Sequence, residues 1–380
     1  MSDIVVEPVA SRRQRRQFLQ FPWTLYRGDP HWIPPLRGHQ REMVGYARHP
    51  FYERNEIQTF LAYRAGEVCG RIAAILNRGH NERYQEALGF FGFFECINDP
   101  EAAAALFDAV RAWFAERGIQ RLRGPTNPSL NYELGLLIEG FDSPPTFMMT
   151  YNPPYYASLI EGCGFRKCQD LYAYWGHVDM LPKVAEKLRP IALGIIEHLG
   201  VRLRTLDRSR FREDVEAFLH IYNRSLANTW GFVPMTEGEV RHMARGLKHL
   251  IVPELAVGVE IDGRLVGAVF GLPDYNPRIR QIDGRLFPFG FWHLLRNKHQ
   301  IKRIRAISTN VLPEYQRQGL GLVLLHGLVP KAMEWGIEEA EFSWVLESNL
   351  LSRRSLEKGG AIRAKTYRLY DWDPGEQTRP

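Results

Sequence analysis

The feature that most constrains this chain is that it repeats itself. "TFLAYRAGEVCGRIAAIL", Thr59 to Leu76, reads as two apolar-rich strands around Ala65-Gly66. "ELAVGVEIDGRLVGAVFGL", Glu254 to Leu272, reads as two more around Asp262-Gly263, a strong hairpin signal. Gly66 and Gly263 stand 197 residues apart, and so do Gly70 and Gly267 in the second strands. Farther on, "YYASLIEGCGFRKCQDLYAYWG" from Tyr155 and "SRRSLEKGGAIRAKTYRLYDWD" from Ser352 each give a short helix, a glycine stop and a strand. Gly164 and Gly360 are 196 apart, as are Tyr174 and Tyr370. A near-constant offset at both ends predicts duplication of one α/β unit.

Between those ends the halves carry extra chain in different places. Helices closing at Gly118 and Gly336 are 218 apart, so the second half holds 21 added residues before its long helix. They fall around "GRLFPFGFWHLLRNKHQIKRIR", and the first half's own insertion falls within "GPTNPSLNYELGLLIEGFDSPPTFMMTYNPP". Insertions on a repeated scaffold tend to be loops that carry specificity. "MLPKVAEKLRPIALGIIEHLG" predicts one or two linking helices interrupted at Pro190. The expected domains are therefore 1–178, a linker helix over 179–200, and 201–380.

A length of 380 residues suits two domains better than one core. A net charge of +6 suits an anionic partner: nucleic acid, a phosphorylated cofactor or an anionic membrane surface. Nucleic acid rests on charge alone and is not expected. Cys69, Cys96, Cys163 and Cys168 form no CxxC pair and have no histidine at zinc-finger spacing, so they are expected as buried thiols in a reducing compartment, with no metal. The first residues lack an apolar stretch of signal-peptide length, and no run of 18 apolar residues occurs. The expected location is cytoplasmic, with peripheral membrane association left open.

The chemistry concentrates in "NVLPEYQRQGLGLVLLHGLVPKAMEWGI", Asn310 to Ile337. A strand-like run gives way to a polar loop and then to a long apolar helix pattern, with Gly319 and Gly321 at the first helical turn. Glycine there lets a ligand approach the backbone closely. The first turn has outward N–H groups and the positive end of the macrodipole, a ready site for a pyrophosphate. Gln316 and Arg317 add donors at the rim. Upstream lies a hairpin, and downstream "WVLESNLLSRRSLEKGG", where Asn349 begins a helix.

This pattern resembles the GCN5-related N-acetyltransferase (GNAT) superfamily. The resemblance covers roughly 200–375 well and roughly 50–175 more weakly. It implies an α/β fold of two tandem GNAT-like domains, each a mixed, mostly antiparallel sheet flanked by helices. It also implies an N-acyltransferase using acetyl-CoA or a longer acyl-CoA. The residues it assigns to the co-substrate are Gln318, Gly319, Leu320 and Gly321, whose backbone N–H groups bind pyrophosphate. Backbone near Val311 pairs with the pantetheine and polarises the thioester, and Asn349 touches the pantetheine arm. The family often places a tyrosine acid where this chain has Leu356; Ser355, Tyr367, Tyr370 or solvent are the substitutes. The first half has Asp99-Pro100-Glu101 where its own phosphate loop would be, so it is expected to be degenerate in donor binding, supplying structure and one wall of the substrate site.

Amide formation needs a base for the amine, a donor for the oxyanion and a proton for the thiolate. The candidate carboxylates are Glu95 at the end of "GFFGFFE", Glu133 in "NPSLNYELG" and Glu347 in "WVLESN", with Tyr367 as the candidate acid. Aromatics and basic residues over 286–305 predict either a membrane-interface segment or the wall of an acyl-chain tunnel. Both suit a small-molecule or lipid amine acceptor, and the chain is compatible with bacterial members of the superfamily that acylate long-chain amines, the bacterial ceramide synthases among them. Two other readings stay open at this stage: a non-catalytic acyl-CoA sensor, and an aminoacyl-tRNA-dependent transferase of the peptidoglycan type.

Overall fold

In the computed structural model, residues 3–375 are described, with the backbone alone at 181–185, 187 and 308. The chain begins with β1 (Ile4–Pro8), α1 (Arg12–Leu25), α2 (Arg37–Met43), β2 (Glu56–Arg64), β3 (Glu67–Leu76), α3 (Arg78–Tyr84) and β4 (Leu88–Cys96). It continues through α4 (Pro100–Ala115), β5 (Arg121–Gly124), β6 (Thr126–Asn127), β7 (Glu133–Leu134), β8 (Leu136–Glu139), α5 (Tyr156–Gly162) and β9 (Arg166–His177). Then come α6 (Leu181–Leu199), β10 (Arg202–Thr205), α7 (Phe211–Ser225), α8 (Glu237–Leu247), β11 (Ala256–Ile261), β12 (Arg264–Pro273), α9 (Asn276–Gln281) and α10 (Gly290–Leu295). The last elements are β13 (Arg303–Val311), α11 (Leu320–Trp335), β14 (Glu339–Leu346), α12 (Leu350–Lys358) and β15 (Ile362–Trp372).

These elements pack as two compact units. The first comprises Met1–Leu171, Arg278–Gly290 and Lys365–Pro380; the second comprises Tyr172–Pro277 and Phe291–Ala364. In the first, β1 to β4 form an antiparallel meander, β5 joins β4 in parallel, and β15 pairs antiparallel with β5 and β8. In the second, β10 to β13 form the meander, β14 joins β13 in parallel, and β9 neighbours β14. Most of the closing strand of the whole sequence thus belongs to the first unit, and residues 172–177 of β9 belong to the second. Two strands of one repeated pattern carry interchangeable edges of N–H and C=O groups, so the repeat offset alone does not say which sheet each will complete.

The repeat is visible in atomic detail. Ala65-Gly66 and Asp262-Gly263 all take positive φ, at 51°, 82°, 51° and 74°, the backbone a tight two-residue hairpin turn demands. The β2/β3 register shifts between Ala62 and Tyr63, and the β11/β12 register shifts between Val259 and Glu260, the same place 197 residues later. Helix α4 covers the first sheet with Ala102, Ala103, Leu106, Phe107, Val110 and Phe114, spaced for one helical face, and these join Phe91, Phe94 and Phe165 in the core. Helix α11 does the same in the second unit with Leu320, Val323, Leu324, Leu328 and Ala332, and stops at Gly336 with φ +90°. α8 starts on a reciprocal cap between Thr236 and Glu239.

The expected interruption at Pro190 does not occur: α6 is one helix through it. Pro190 is exposed, so the carbonyl it strands can be hydrated and only one intrahelical bond is lost.

Candidate active site

In the second unit, β13 and β14 run parallel and paired from Arg303↔Glu339 to Ala306↔Phe342, and there the register ends. Both strands continue, to Val311 and Leu346. The edge of β13 that faced β14 is thereby released over its last five residues, 307–311. Val311 itself stays paired with Gly267 of β12 on the other side.

The polypeptide then turns through Pro313–Tyr315 into a loop with two left-handed residues, Arg317 at φ +70° and Gly319 at φ +78°. Alternating left-handed and ordinary residues point successive N–H groups toward one concavity. Among the described residues no acceptor receives the N–H of Arg317, Gln318, Gly319, Leu320 or Gly321. Intrahelical bonding resumes only where Leu322 N–H donates to Gly319 O at 2.9 Å. Arg317, Gln318 and Gly319 are exposed, so these donors are open to solvent. Arg317 has no ion-pair partner among the described residues. Five unmet donors thus stand at the positive end of a 16-residue helix, a geometry suited to an anion.

The side chains of the loop divide by role. Gln316 donates from Nε2 to Val311 O at 3.1 Å and to Ser225 O at 3.2 Å, so its amide braces the loop against the chain's own carbonyls. Gln318 Nε2 donates to Glu314 O at 3.4 Å, and Glu314 is held by Arg224 at 3.2 Å and Arg264 at 3.0 Å. A Cβ at Gly319 would meet Ile195 Cδ1 of α6 at 2.5 Å, whereas one at Gly321 would meet Thr309 Cγ2 at an ordinary 3.6 Å. A cleft of about 650 Å³ adjoins the loop, lined by Ile191, Gly194, Ile195, His198, Leu199 and Gln318.

Around the point where β13 and β14 part lies a polar network that sequence reading missed. Buried Arg305 donates from Nε to Ser343 Oγ at 2.9 Å and from Nη2 to Ser343 O at 3.2 Å, and Ser343 Oγ donates to Glu341 Oε1 at 2.7 Å. The Arg305 guanidinium lies 4.7 Å from the centre of the Trp344 ring. Trp344 Nε1 is buried with no hydrogen-bond acceptor among the described residues. Burial pushes the Tyr222 phenol up to about 12, against the opposing pull of Arg305, so it stays protonated. The available signal was charged residues, Arg305 and Glu341, inside apolar strand patterns.

Of the other anticipated residues in this unit, Asn349 caps α12, its Oδ1 accepting from Ser352 N–H at 3.1 Å. Glu347 follows β14, half-buried, and its carbonyl accepts from Arg353 Nη1 at 2.8 Å. Leu356 packs into an apolar cluster with Tyr172, Tyr174 and Val345.

Glu95, Glu133 and Tyr367 belong to the first unit. Glu95 ends β4, and its Oε2 accepts from Tyr26 Oη at 2.7 Å and Tyr156 Oη at 2.8 Å, while Oε1 lies 3.5 Å from Arg71. Burial raises its carboxyl above the ordinary range, with Arg71 and the two phenols opposing. Glu133 sits half-buried in the β6/β7 hairpin, opposite Asn127. Tyr367 is fully buried on β15, its Cβ against Gly135.

The acetyltransferase (GNAT) family profile matches residues 215–360, which hold the parted strands, the open loop and α11. Protein YghO of Escherichia coli is 36% identical over 379 residues, covering 97% of this chain and 95% of its own. The chain belongs to the GNAT family. A second relative, from Caulobacter vibrioides, is named a bacterial ceramide synthase; it is 35% identical over 378 residues, covering 97% of each chain. A tandem GNAT protein from the clavulanic acid biosynthesis pathway shares the fold, at 12% identity, 97% and 98% coverage and a TM-score of 0.55. The fold is thus a tandem one, and the family is one of acyltransferases. Among the described residues no group of three or more metal-ligating side chains is assembled, and no helix is long and apolar enough to cross a membrane.

Proposed function

We propose that the chain is an acyl-CoA-dependent N-acyltransferase whose donor binds the second unit and whose acceptor is a lipid-like amine. The observation that carries this reading is the run of five N–H groups, Arg317 to Gly321, without acceptors among the described residues at the start of α11. A pyrophosphate would meet those donors and the helix dipole together, with Arg317 beside it. Gln316 holds the loop in shape. The released edge of β13 near Val311 offers backbone groups to the pantetheine amides as a neighbouring strand would, and one N–H there to the thioester oxygen. The orphaned Trp344 Nε1–H is a further donor in search of a partner.

In the reaction the amine nitrogen bonds to the carbonyl carbon and the carbon–sulfur bond breaks. One proton leaves the nitrogen and one reaches the thiolate. Among the three candidate carboxylates, burial raises that of Glu95 toward the working pH. Glu133, Glu347 and Tyr367 remain to be tested beside it. The ceramide synthase relative supports a long-chain amine as acceptor.

Calorimetry with acetyl-CoA and palmitoyl-CoA, followed by thiol release over a panel of short and long-chain amines, tests this. Donor binding with thiol release on a long-chain amine is the expected result. Silence from both donors would overturn it. A non-catalytic acyl-CoA sensor is favoured by one observation: Leu356, at the position of the family's tyrosine acid, is committed to apolar packing. Binding without thiol release on any amine would establish that second reading.

A further inference from the structure

The turn bearing Phe287 and Phe289 presents to solvent what a folded chain normally hides. Phe287 is 82% exposed and Phe289 79%, and the chain runs directly on into Phe291 and Trp292, at 40% and 61%. Singly exposed apolar residues are ordinary, but four large aromatics within six residues are not.

The turn is rigidly built. Asp283 at its base accepts from Trp23 Nε1 and from Arg37 Nη2, each at 2.5 Å, and Arg37 stacks over the Trp23 ring at 4.5 Å. Arg37 N–H donates to Gly284 O at 3.0 Å. A Cβ at Gly284 would come within 2.1 Å of Pro35 O, and one at Gly290 within 1.8 Å of Arg285 O, so the backbone closes tightly at both ends. An anchored base holding phenylalanines outward is organised in advance for a partner, which lowers the ordering cost of meeting one.

Charge narrows the partner. From Arg278 to Arg303 the chain carries seven arginines and lysines and one acid, Asp283. Asp283 is already engaged by Arg37, and Lys302 and Arg303 are paired with Glu338 and Glu339. Arg285 remains 64% exposed, 3.6 Å from Asp283. Aromatic rings favour the boundary between lipid headgroups and acyl chains, and arginines there meet phosphates. A second copy of the chain would instead bring these like charges together.

We propose that this turn docks the protein on an anionic lipid bilayer, Phe287 and Phe289 entering the acyl boundary and Arg285 facing lipid phosphates. The proposal is independent of the donor chemistry, and it would place the protein where a lipid-borne amine resides.

Co-sedimentation of the full chain with phosphatidylcholine vesicles, with and without phosphatidylglycerol, tests it. Wild type should bind the mixed vesicles, and less so as salt rises. Phe287→Ser/Phe289→Ser should weaken that binding by about tenfold or more. Arg285→Glu should lower chiefly the preference for phosphatidylglycerol. Both variants alter exposed side chains, so thermal melting and acyl-CoA binding should stay as in wild type. The proposal is overturned if wild type binds neither vesicle, or if the double variant binds as well as wild type. It is also overturned if light scattering without lipid shows a dimer that the double variant abolishes.

Discussion

The strand–helix–strand passages of the two units start from the same plan and end in opposite states. In the first, β4 and β5 pair in parallel from Leu88↔Arg121 to Phe90↔Arg123 and then part. The chain fills that gap itself: Asn127 Oδ1 accepts from Phe93 N–H at 2.7 Å, and Thr126 O lies where any Cβ at Gly92 would stand, 1.8 Å away. At the start of α4, Asp99 accepts from Glu101 N–H at 3.0 Å and Ala102 N–H at 3.3 Å, Ala103 N–H donates to Asp99 O at 3.1 Å, and Pro100 has no N–H. Every first-turn donor is met. In the second unit the strands part, with Gln316 Nε2 on Val311 O, and five donors at the head of α11 have no acceptor among the described residues. One repeat has satisfied its helix start with its own side chains; the other has not.

The largest effect we expect belongs to the base, and Glu95 is the candidate tested first. Glu95→Gln should lower kcat by about 10²- to 10⁴-fold with donor affinity unchanged. Because burial raises the Glu95 carboxyl, the wild-type rate should climb with pH through a limb above the ordinary carboxylate range, and the variant should lack that limb. An unchanged pH profile would confine Glu95 to holding Tyr26 and Tyr156.

Gly321→Asp sharpens the contrast between the helix starts. It transplants the first unit's negative charge into the second. A Cβ is tolerated there, and aspartate in a first helical turn is favourable, so melting should hold or rise while CoA affinity falls by about 100-fold. Calorimetry and a melt read both.

The reverse changes should cost stability and leave CoA binding alone. Asn127→Ala strands the Phe93 N–H, for a loss of about 1–3 kcal/mol in denaturant titration. Asp99→Ala removes the α4 cap for about 1 kcal/mol, and with it an ion pair to Arg64 at 2.7 Å.

What was legible in the sequence was local. The hairpin turns declare themselves because Ala65-Gly66 and Asp262-Gly263 sit where φ must be positive. The Asp99 cap and the Gly319 helix start are equally short-range, and so is the amphipathic face of α4. What was not legible depends on distant partners. Nothing near Asn127 in sequence announces that it will fill a gap beside Phe93, nor does Gln316 announce that its amide will brace Ser225 rather than face a ligand. Arg305, Ser343 and Glu341 meet only because two parallel strands are in register. The exposure of Phe287 and Phe289 depends on the Arg37 and Trp23 clamp 246 and 260 residues away from Asp283.

Hydrogen exchange along the full chain, with and without saturating CoA, tests most directly whether one repeat is closed and the other open. Unmet first-turn amides exchange freely until a ligand accepts from them. Amides 317–321 should slow by about tenfold or more on CoA addition, while Phe93 and 101–103 stay as they were. Bound CoA that leaves 317–321 exchanging freely, or that protects 93–103 instead, would contradict the account.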